Sequence, residues 1–369
     1  MTYTPTRGDL GSGTHEILAR WIPTALPPTA RDVSISDFSA PDAGYSGKTV
    51  FFTATWTDDT NRRRSEPLVL RMQATDHQLF TTPDAPRQAE IMQRLARHRG
   101  IAVPEVKWIE RDPSVLGAPF YLMYRIDGRT PSDVPSWHKR GWVADLDPAQ
   151  RSVLCDNALR SLVALHSITD AQDLAYFRGA PDNGSGSALA RYLRVVADWY
   201  SSIRPELVVG ADVLARAMAT LDEQIPPTTA ERIVWGDARV GNVSFGDDLS
   251  VAAMFDWETA TTGPPEIDLG WWLMFENFLC EALGFERLDG APDTSATVAR
   301  YQALGGVVDV ENLPYYKLLA AFVLSLINNR LAVLLIRDGL DPATARGYPL
   351  TSVRLADEYL HEIDKKGLT

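Results

Sequence analysis

A short polar loop between two β-like runs constrains this chain more than any other segment. The sequence reads WGDARVGN at residues 235–242, starting at the last residue of the β-like run 232–235, and a second β-like run at 251–255 leads to Asp256. Asp and Asn favour turns for backbone reasons alone, so either segment by itself would be an ordinary turn. Together the two segments place four polar positions in a fixed order beside strands: Asp237, Arg239, Asn242 and Asp256.

The residue types at these positions match what phosphoryl transfer requires. That reaction needs a carboxylate to orient the attacking hydroxyl, metal ligands for the triphosphate and a cation for the charge on the transferring group. Asp237 is expected to supply the first and Arg239 the cation, and both are therefore predicted to be catalytic. Mg2+ takes only one or two carboxylates besides phosphate oxygens and water, so Asn242 and Asp256 are predicted as its ligands. The expected cofactors are ATP and Mg2+.

These segments resemble the phosphotransferase enzyme family that contains the aminoglycoside and choline kinases. Residues 236–242, 256–263 and 268–270 are similar, more narrowly, to the kinase domains associated with acyl-CoA dehydrogenases. The resemblance is clear over residues 234–271 and weaker over the rest of the chain. It implies an α+β, bilobal protein-kinase-like fold, in which a small antiparallel-sheet N-terminal lobe with one main helix precedes a larger, mainly helical C-terminal lobe.

The family usually has a His where this chain has Trp235, so the indole or other packing is expected to support the loop instead. Asp268 is expected to hold the loop from behind. His166 is expected to be a core histidine whose ring nitrogens have partners.

The order of predicted elements fits a division into two lobes. β-like runs at residues 49–56, 67–71 and 118–123 surround a helical pattern at 86–99, whereas helical patterns follow after residue 128. The first helices of that part are predicted at 148–167 and 188–203. We therefore expect a nucleotide-binding lobe at residues 1–124 and a catalytic and substrate-binding lobe at residues 125–369.

Within the first lobe, the resemblance implies a glycine-containing hairpin over the phosphates, a cation on a strand, a helix carboxylate and a hinge whose backbone bonds the adenine edge. Arg71 stands where many kinases have Lys, and it can pair bidentately with phosphate or with Glu90. The SGKT run at residues 46–49 is not a P-loop, because Asp42 replaces the required Gly and a strand follows. The nucleotide-binding residues predicted are Gly44, Ser46, Gly47, Arg71, Glu90, Met123, Tyr124 and Ile126.

The acceptor is predicted to be a small molecule. Asp268 follows Asp256 only twelve residues later, which leaves little room for the peptide-docking segment of protein kinases. Pocket walls of small-ligand sites combine aromatic groups with a few polar ones. The predicted substrate-side residues are Glu258, Trp271, Trp272 and Glu276.

Two classes of acceptor and a third interpretation without phosphoryl transfer stay open. The acidic balance favours a cationic aminoglycoside-like molecule, whereas the narrower resemblance points to a hydroxyacyl-CoA or a related hydroxylated metabolite. A nucleotide-binding pseudokinase is the third, and the presence of Asp237, Asn242 and Asp256 together disfavours it.

Composition excludes several other classes. A formal net charge of −12 argues against a nucleic-acid partner, because such proteins carry basic surfaces. The apolar stretch 318–336 has Asn328, Asn329 and Arg330 in its middle, which predicts a buried helix and no membrane partner. Cys155 and Cys280 are too few for a disulfide framework and are predicted as core residues. The N-terminal segment has no leader pattern, so a cytoplasmic location is expected.

Overall fold

The computed structural model describes residues 12–39, 47–75, 78–79, 83–179 and 186–367. The chain divides into two compact units. The first comprises Met1–Arg97 and Val103–Asp127, and the second comprises His98–Ala102 and Gly128–Thr369.

The strands are β1 (Arg31–Ser39), β2 (Gly47–Thr57), β3 (Arg63–Gln73), β4 (Val106–Glu110), β5 (Phe120–Tyr124), β6 (Arg232–Val234), β7 (Val243–Phe245), β8 (Val251–Met254) and β9 (Thr261–Gly263). The helices are α1 (Ser12–Ala25), α2 (Ala85–Leu95), α3 (Pro148–His166), α4 (Ala171–Arg178), α5 (Ala188–Ile203), α6 (Ala211–Glu223), α7 (Glu266–Leu279), α8 (Thr294–Ala303), α9 (Leu313–Arg337), α10 (Pro342–Ala345) and α11 (Gly347–Gly367).

The first unit is built on a five-stranded antiparallel sheet in the order β1-β2-β3-β5-β4. Alternate side chains of β2 are buried on one face, because successive side chains of a strand point to opposite faces. The inward set is Val50, Phe52, Ala54 and Trp56. These side chains form a core with Leu18 and Ile22 of α1, a helix that the sequence analysis does not predict.

Helix α2 is the main helix expected in this unit, but it is shorter than predicted. It spans Ala85–Leu95, whereas the sequence pattern indicated residues 86–99. The side chain of Asp84 caps its first turn by accepting a hydrogen bond from the backbone N–H of Arg87 at 2.9 Å. After Leu95 the chain passes through turns to Gly100, whose positive φ of 89° is incompatible with continued helix.

The second unit is mainly helical and holds two small antiparallel sheets, β6–β9 and β7–β8. Two of its helices match the predicted bounds closely, α3 within one residue and α5 at both ends. The loop that carries Asp237 connects β6 to β7, and Asp256 lies two residues after the end of β8. The unit therefore positions all four polar residues of the motif.

The segment Val310–Arg337 is long and apolar enough to cross a membrane by length and composition, the one such segment in the part of the chain that the structure describes. Most of its apolar window, 67%, is buried against the rest of the protein. Asn329 in its middle is 1% exposed, and its Oδ1 accepts the backbone N–H groups of Val208 and Val209 at 2.9 and 3.0 Å. The prediction of a buried helix is confirmed. Cys155 and Cys280 are buried free thiols, also as predicted.

Candidate active site

The carboxylate of Asp237 lies at the centre of the polar loop between β6 and β7. Its Oδ1 accepts hydrogen bonds from Nε of Arg239 and from Nε1 of Trp271, both at 2.9 Å. Its Oδ2 accepts one from Nδ2 of Asn242 at 2.7 Å. Two donors from its own loop and one from α7 thus fix the orientation of this carboxylate.

Asn242 is held so that its amide oxygen is left for another partner. Its Nδ2 bonds both the carboxylate and the backbone carbonyl of Asp237, at 2.7 and 3.0 Å, which uses both amide hydrogens. The side chain is 3% exposed and its backbone carbonyl accepts the N–H of Phe255 at 2.9 Å. The Oδ1 atom of Asn242 can therefore serve as a hard oxygen ligand.

Asp256 occupies a backbone conformation that few side chains adopt. It follows β8 with a φ of +56°, in the left-handed region, which costs a non-glycine residue about 1–2 kcal/mol. Such strain persists only where the surroundings impose it, and it concentrates at functional positions. The preceding residue, Phe255, is fixed at both ends, by the bond of its N–H to Asn242 and by the indole N–H of Trp235, which donates to its carbonyl at 2.8 Å.

Asp268 holds the loop from behind, as predicted. It is completely buried, and its two oxygens accept the backbone N–H groups of Trp235 at 2.7 Å and Gly236 at 2.8 Å. Nε2 of His166 lies 3.0 Å from Oδ2 of Asp268, and Nδ1 of His166 lies 2.7 Å from the hydroxyl of Tyr301. The expectation that His166 is a core histidine with partners is confirmed.

Trp235 replaces the histidine that the family usually has, and it acts through packing and one hydrogen bond. The indole is fully buried and stacks on Trp257 with ring centroids 5.3 Å apart. Gly236 follows with a φ of +87°, and a Cβ there would lie 2.8 Å from the carbonyl oxygen of Thr259. Only glycine fits this position, because both the conformation and the space exclude a side chain.

Arg239 joins two carboxylates. Besides Asp237, its Nη1 pairs with Oδ2 of Asp133, and its guanidinium lies 4.9 Å from the ring centroid of Phe275. Burial alone would lower the pKa of Arg239, but the charges of Asp237, Asp133 and, more weakly, Asp256 raise it. The guanidinium therefore stays charged. Sequence reasoning missed Asp133, which stands in a loop 106 residues before Arg239 and shows no local pattern.

The residues expected on the substrate side separate into two groups. Trp271 contacts Asp237 directly and stacks on Phe275, with centroids 5.8 Å apart. Glu258, two residues after Asp256, is half-buried. Trp272 and Glu276 are 2% and 7% exposed, which leaves Trp272 no surface for a ligand; it packs in the core. Glu276 lies 3.2 Å from Nε2 of His138 and 3.6 Å from Nη1 of Arg287.

Of the residues expected to bind phosphate in the first unit, Gly44 and Ser46 lie outside the described residues, and Gly47 begins β2. Nη1 of Arg71 donates to Oγ1 of Thr49 on the neighbouring strand at 2.8 Å. Glu90 of α2 forms an ion pair with Arg111. As predicted, a strand and not a helix follows Gly47, so the SGKT run is no P-loop.

The expected adenine-binding segment follows β5. Met123 is buried within the sheet, and the N–H of Tyr124 donates to the carbonyl of Glu105 at 2.9 Å. The N–H of Arg125 donates to the carbonyl of Pro67 at 3.0 Å. The N–H of Tyr124 already has a partner within the sheet. The groups of this segment that we still expect to bond adenine are therefore its backbone carbonyls and the backbone of the half-buried Ile126.

Comparison with known proteins identifies the family. A model of the phosphotransferase enzyme family matches residues 37–304. The chain belongs to the phosphotransferase enzyme family. Acyl-CoA dehydrogenase family member 11 of Gallus gallus is 32% identical to this phosphotransferase over 181 residues, which are 48% of the chain. The match spans about a fifth, 21%, of the length of that relative.

Solved structures share the fold of this phosphotransferase. A candidate aminoglycoside phosphotransferase of Ralstonia eutropha has a TM-score of 0.68 at 22% identity, over 94% of this chain and 98% of its own. A thermostable mutant of aminoglycoside phosphotransferase APH(4)-Ia, in complex with AMP-PNP and hygromycin B, has a TM-score of 0.57 at 15% identity, over 94% and 99%. The predicted α+β, bilobal kinase-like fold is confirmed, and the phosphotransferase is a kinase-type enzyme.

Proposed function

We propose that this phosphotransferase transfers the γ-phosphate of ATP, with Mg2+, to a hydroxyl group of a small molecule. The observation that carries the proposal is the Asp237 carboxylate, which three donors hold in one orientation. A carboxylate base suits the activation of a hydroxyl, because it accepts the proton as the new bond forms.

The residues after β6 and β8 fit a magnesium ion that arrives with a nucleotide. Within the described residues the amide oxygen of Asn242 has no hydrogen-bond partner, and Asp256, further along the chain, is held in a strained backbone conformation. Among the residues described, no group of three or more His, Cys, Asp or Glu side chains could hold a metal alone. A site with one carboxylate and one amide suits Mg2+, which takes its other ligands from phosphates and water. When bound, Mg2+ would neutralise charge on the triphosphate.

The side chains of the loop have different roles in the transfer of the phosphoryl group. The acceptor oxygen forms a bond to the γ-phosphorus while the bond from that phosphorus to the β–γ bridging oxygen breaks, and ADP leaves with the electron pair. Asp237 orients the hydroxyl and takes its proton. Arg239 keeps a positive charge beside the base, and its Nη2 has no hydrogen-bond partner in the described part of the chain, so it remains a donor for phosphate oxygen.

We propose that the nucleotide-binding residues predicted from the sequence bind ATP, each through the groups named below. Complexes of a fold relative with AMP-PNP support ATP as the donor. Arg71 would face the phosphates, supported by Glu90, and carbonyl groups near Met123 and Tyr124 together with Ile126 would bond the adenine. Gly44, Ser46 and Gly47 would approach the phosphates through their backbone.

The acceptor is proposed to be a small alcohol. Between Asp256 and Asp268 the chain forms strand β9 and the start of α7, so this segment holds no peptide-docking loop. The fold relative bound to hygromycin B favours an aminoglycoside-like acceptor, and the identity to an acyl-CoA dehydrogenase family member favours a hydroxyacyl-CoA. Trp271 and Glu258 are the substrate-side residues that we retain.

A screen for ADP release tests the proposal. Hydroxylated molecules, including aminoglycosides, macrolides, choline-like alcohols and hydroxyacyl-CoA esters, are supplied with ATP and Mg2+ to the parent and to Asp237→Asn. Asp237→Asn is expected to keep nucleotide affinity while slowing transfer about 10²–10⁴-fold, because it loses the base. The control is Asp247→Asn, whose carboxylate lies fully exposed in the β7–β8 turn.

Each result bears on a separate part of the proposal. If Asp237→Asn turns over an acceptor as fast as the parent, Asp237 is not the base. Labelling of a protein acceptor in place of small molecules would contradict the argument from the short segment after Asp256. Nucleotide binding without any transfer would favour the pseudokinase interpretation.

A further inference from the structure

The two oxygens of the Asp237 carboxylate are not equivalent in this structure. An ionised carboxylate offers about four acceptor positions, two on each oxygen. Oδ1 accepts two N–H donors, from Arg239 and Trp271, and is filled. Oδ2 accepts one from the residues that the structure describes, that of Asn242, and keeps one position. The remaining acceptor position of the base therefore lies on Oδ2.

Trp271 is placed as a fixed donor to the base. It is 5% exposed, and its ring stacks on Phe275 at an interplanar angle of 28°, so the indole cannot turn away from Asp237 without losing this contact. An indole N–H can donate a hydrogen bond but cannot accept one, and the indole is uncharged. Its bond at 2.9 Å thus keeps one position of Oδ1 permanently occupied.

Asp133 fixes the second donor. Its Oδ2 pairs with Nη1 of Arg239, whose Nε reaches Asp237, so one rigid guanidinium spans the two carboxylates. The space is tight, because a Cβ on Gly241 would collide with both Oδ1 of Asp133 and Nη1 of Arg239. Oδ1 of Asp133 is itself buried and accepts no hydrogen bond from the described residues. A buried acceptor without a partner costs stability, which is expected where an arrangement serves function.

The geometry points to Trp271 and Asp133 as positioning residues of the base: Trp271 donates to Oδ1 of Asp237 and Asp133 holds Arg239, the other donor to Oδ1, which makes Oδ2 the atom that takes the proton of the acceptor. The inference rests on the proposed function. It gives Trp271 a role beyond that of a substrate-side residue, as a partner of the base, and it adds Asp133, which no sequence pattern indicated.

Trp271→Phe and Asp133→Asn test the assignment. The first removes the indole N–H and keeps an aromatic ring on Phe275, and the second removes the charge that holds Arg239. Trp142→Phe and Asp156→Asn are the controls: the indole of Trp142 donates to the Thr130 carbonyl and Asp156 pairs with Arg300. ADP release from ATP and Mg2+ is measured with water as acceptor and with any alcohol that the screen identifies.

Both test variants are expected to lower kcat about tenfold or more, since Trp271→Phe removes a hydrogen bond to the charged carboxylate and Asp133→Asn removes the charge that holds Arg239 in place. The KM for ATP should stay at the parent value, whereas both controls should keep the parent kcat. A role in substrate contact alone would instead raise the KM for the alcohol at unchanged kcat. That result, or a parent-like kcat in Trp271→Phe, overturns the inference while leaving the proposed function intact.

A second measurement does not depend on activity or on a stable Trp271 variant. The chain has ten tryptophans, so its indole N–H groups give a countable set of NMR resonances after 15N labelling. In Asp237→Ala the Trp271 resonance should shift while the Trp142 resonance stays in place. An unmoved Trp271 resonance overturns the contact. A parent that neither binds ATP nor releases ADP with any acceptor overturns the proposed function and this inference with it.

Discussion

The indole Nε1 of Trp235 donates to the carbonyl oxygen of Phe255 at 2.8 Å. This bond joins the start of the loop that carries Asp237 to the residue directly before Asp256. A second bond, from the N–H of Phe255 to the carbonyl of Asn242 at 2.9 Å, joins the same two segments. The predicted base and both predicted metal ligands are therefore tied to one another through the backbone.

Trp235→Phe is expected to weaken this connection. The variant keeps an aromatic ring against Trp257 but leaves the Phe255 carbonyl without its donor, which costs about 1–3 kcal/mol. The thermal unfolding midpoint should fall, and nucleotide affinity should fall more with Mg2+ than without it. Trp142→Phe, which loses an indole bond in an exposed position, is the matched control. Equal losses of affinity with and without Mg2+ would contradict the proposed link to Asp256.

Asp268→Asn is expected to destabilise the second unit strongly. The carboxylate is completely buried and accepts two backbone N–H groups on different oxygens, whereas an Asn has one accepting oxygen and would turn an NH2 group toward one of these donors. Breaking such a buried charged network costs about 3–5 kcal/mol. Chemical denaturation measures it. Asp156→Asn, which breaks a partly exposed pair with Arg300, should cost less than about 1 kcal/mol.

Asp256→Ala is expected to remove most of the magnesium-dependent part of ATP binding, because it deletes the carboxylate ligand that we propose. Calorimetric titration of ATP with and without Mg2+ measures this part directly. Asp247→Ala, which deletes a fully exposed carboxylate in the preceding turn, should leave the metal dependence at the parent value. Equal metal dependence in Asp256→Ala and the parent would remove Asp256 from the site.

Glu231 is expected to make stability depend on pH. Burial alone would raise its pKa, but hydrogen bonds from Arg178 and Thr262 and the charges of Arg178 and Arg191 lower it below the usual 4.5. A lowered folded-state pKa gives stability that is present above the unfolded pKa and is lost as the pH falls through the folded one. Glu231→Gln should therefore lower the thermal midpoint near neutral pH, and its difference from the parent should shrink below about pH 4.5.

The measurement is a series of thermal unfolding curves between about pH 3 and about pH 7 at constant ionic strength. Glu358→Gln is the control, because Glu358 pairs with Arg354 at an exposed position of α11. Such pairs contribute little to stability. A difference between Glu231→Gln and the parent that grows as the pH falls would contradict the assigned direction of the pKa.

The sequence by itself determined the chemistry-bearing loop and the class of fold. Asp237, Arg239, Asn242 and Asp256 could be read from residue type and spacing, because each is local to a strand end. The same reason explains why the sequence predicted the short runs that form β2, β3 and β5 and the bounds of α3 and α5. Periodicity and helix caps act within a few residues.

Other features depended on where the chain returns in space. Helix α1 was not predicted from the sequence, because only the packing of Leu18 and Ile22 on the sheet makes it a core element. Trp272 was predicted to line the substrate pocket because its side chain is aromatic. In the folded chain this side chain is buried in the core.

The tertiary structure alone decided how the base is held. Trp271 lies 34 residues after Asp237, and Asp133 lies 106 residues before Arg239, so neither contact leaves a trace in local sequence. A hydrogen bond acts over about 3 Å and has a direction, and only the folded backbone sets which donors meet which oxygen. The residue types thus supply the carboxylate that we propose as the base, while the fold determines which of its two oxygens remains open.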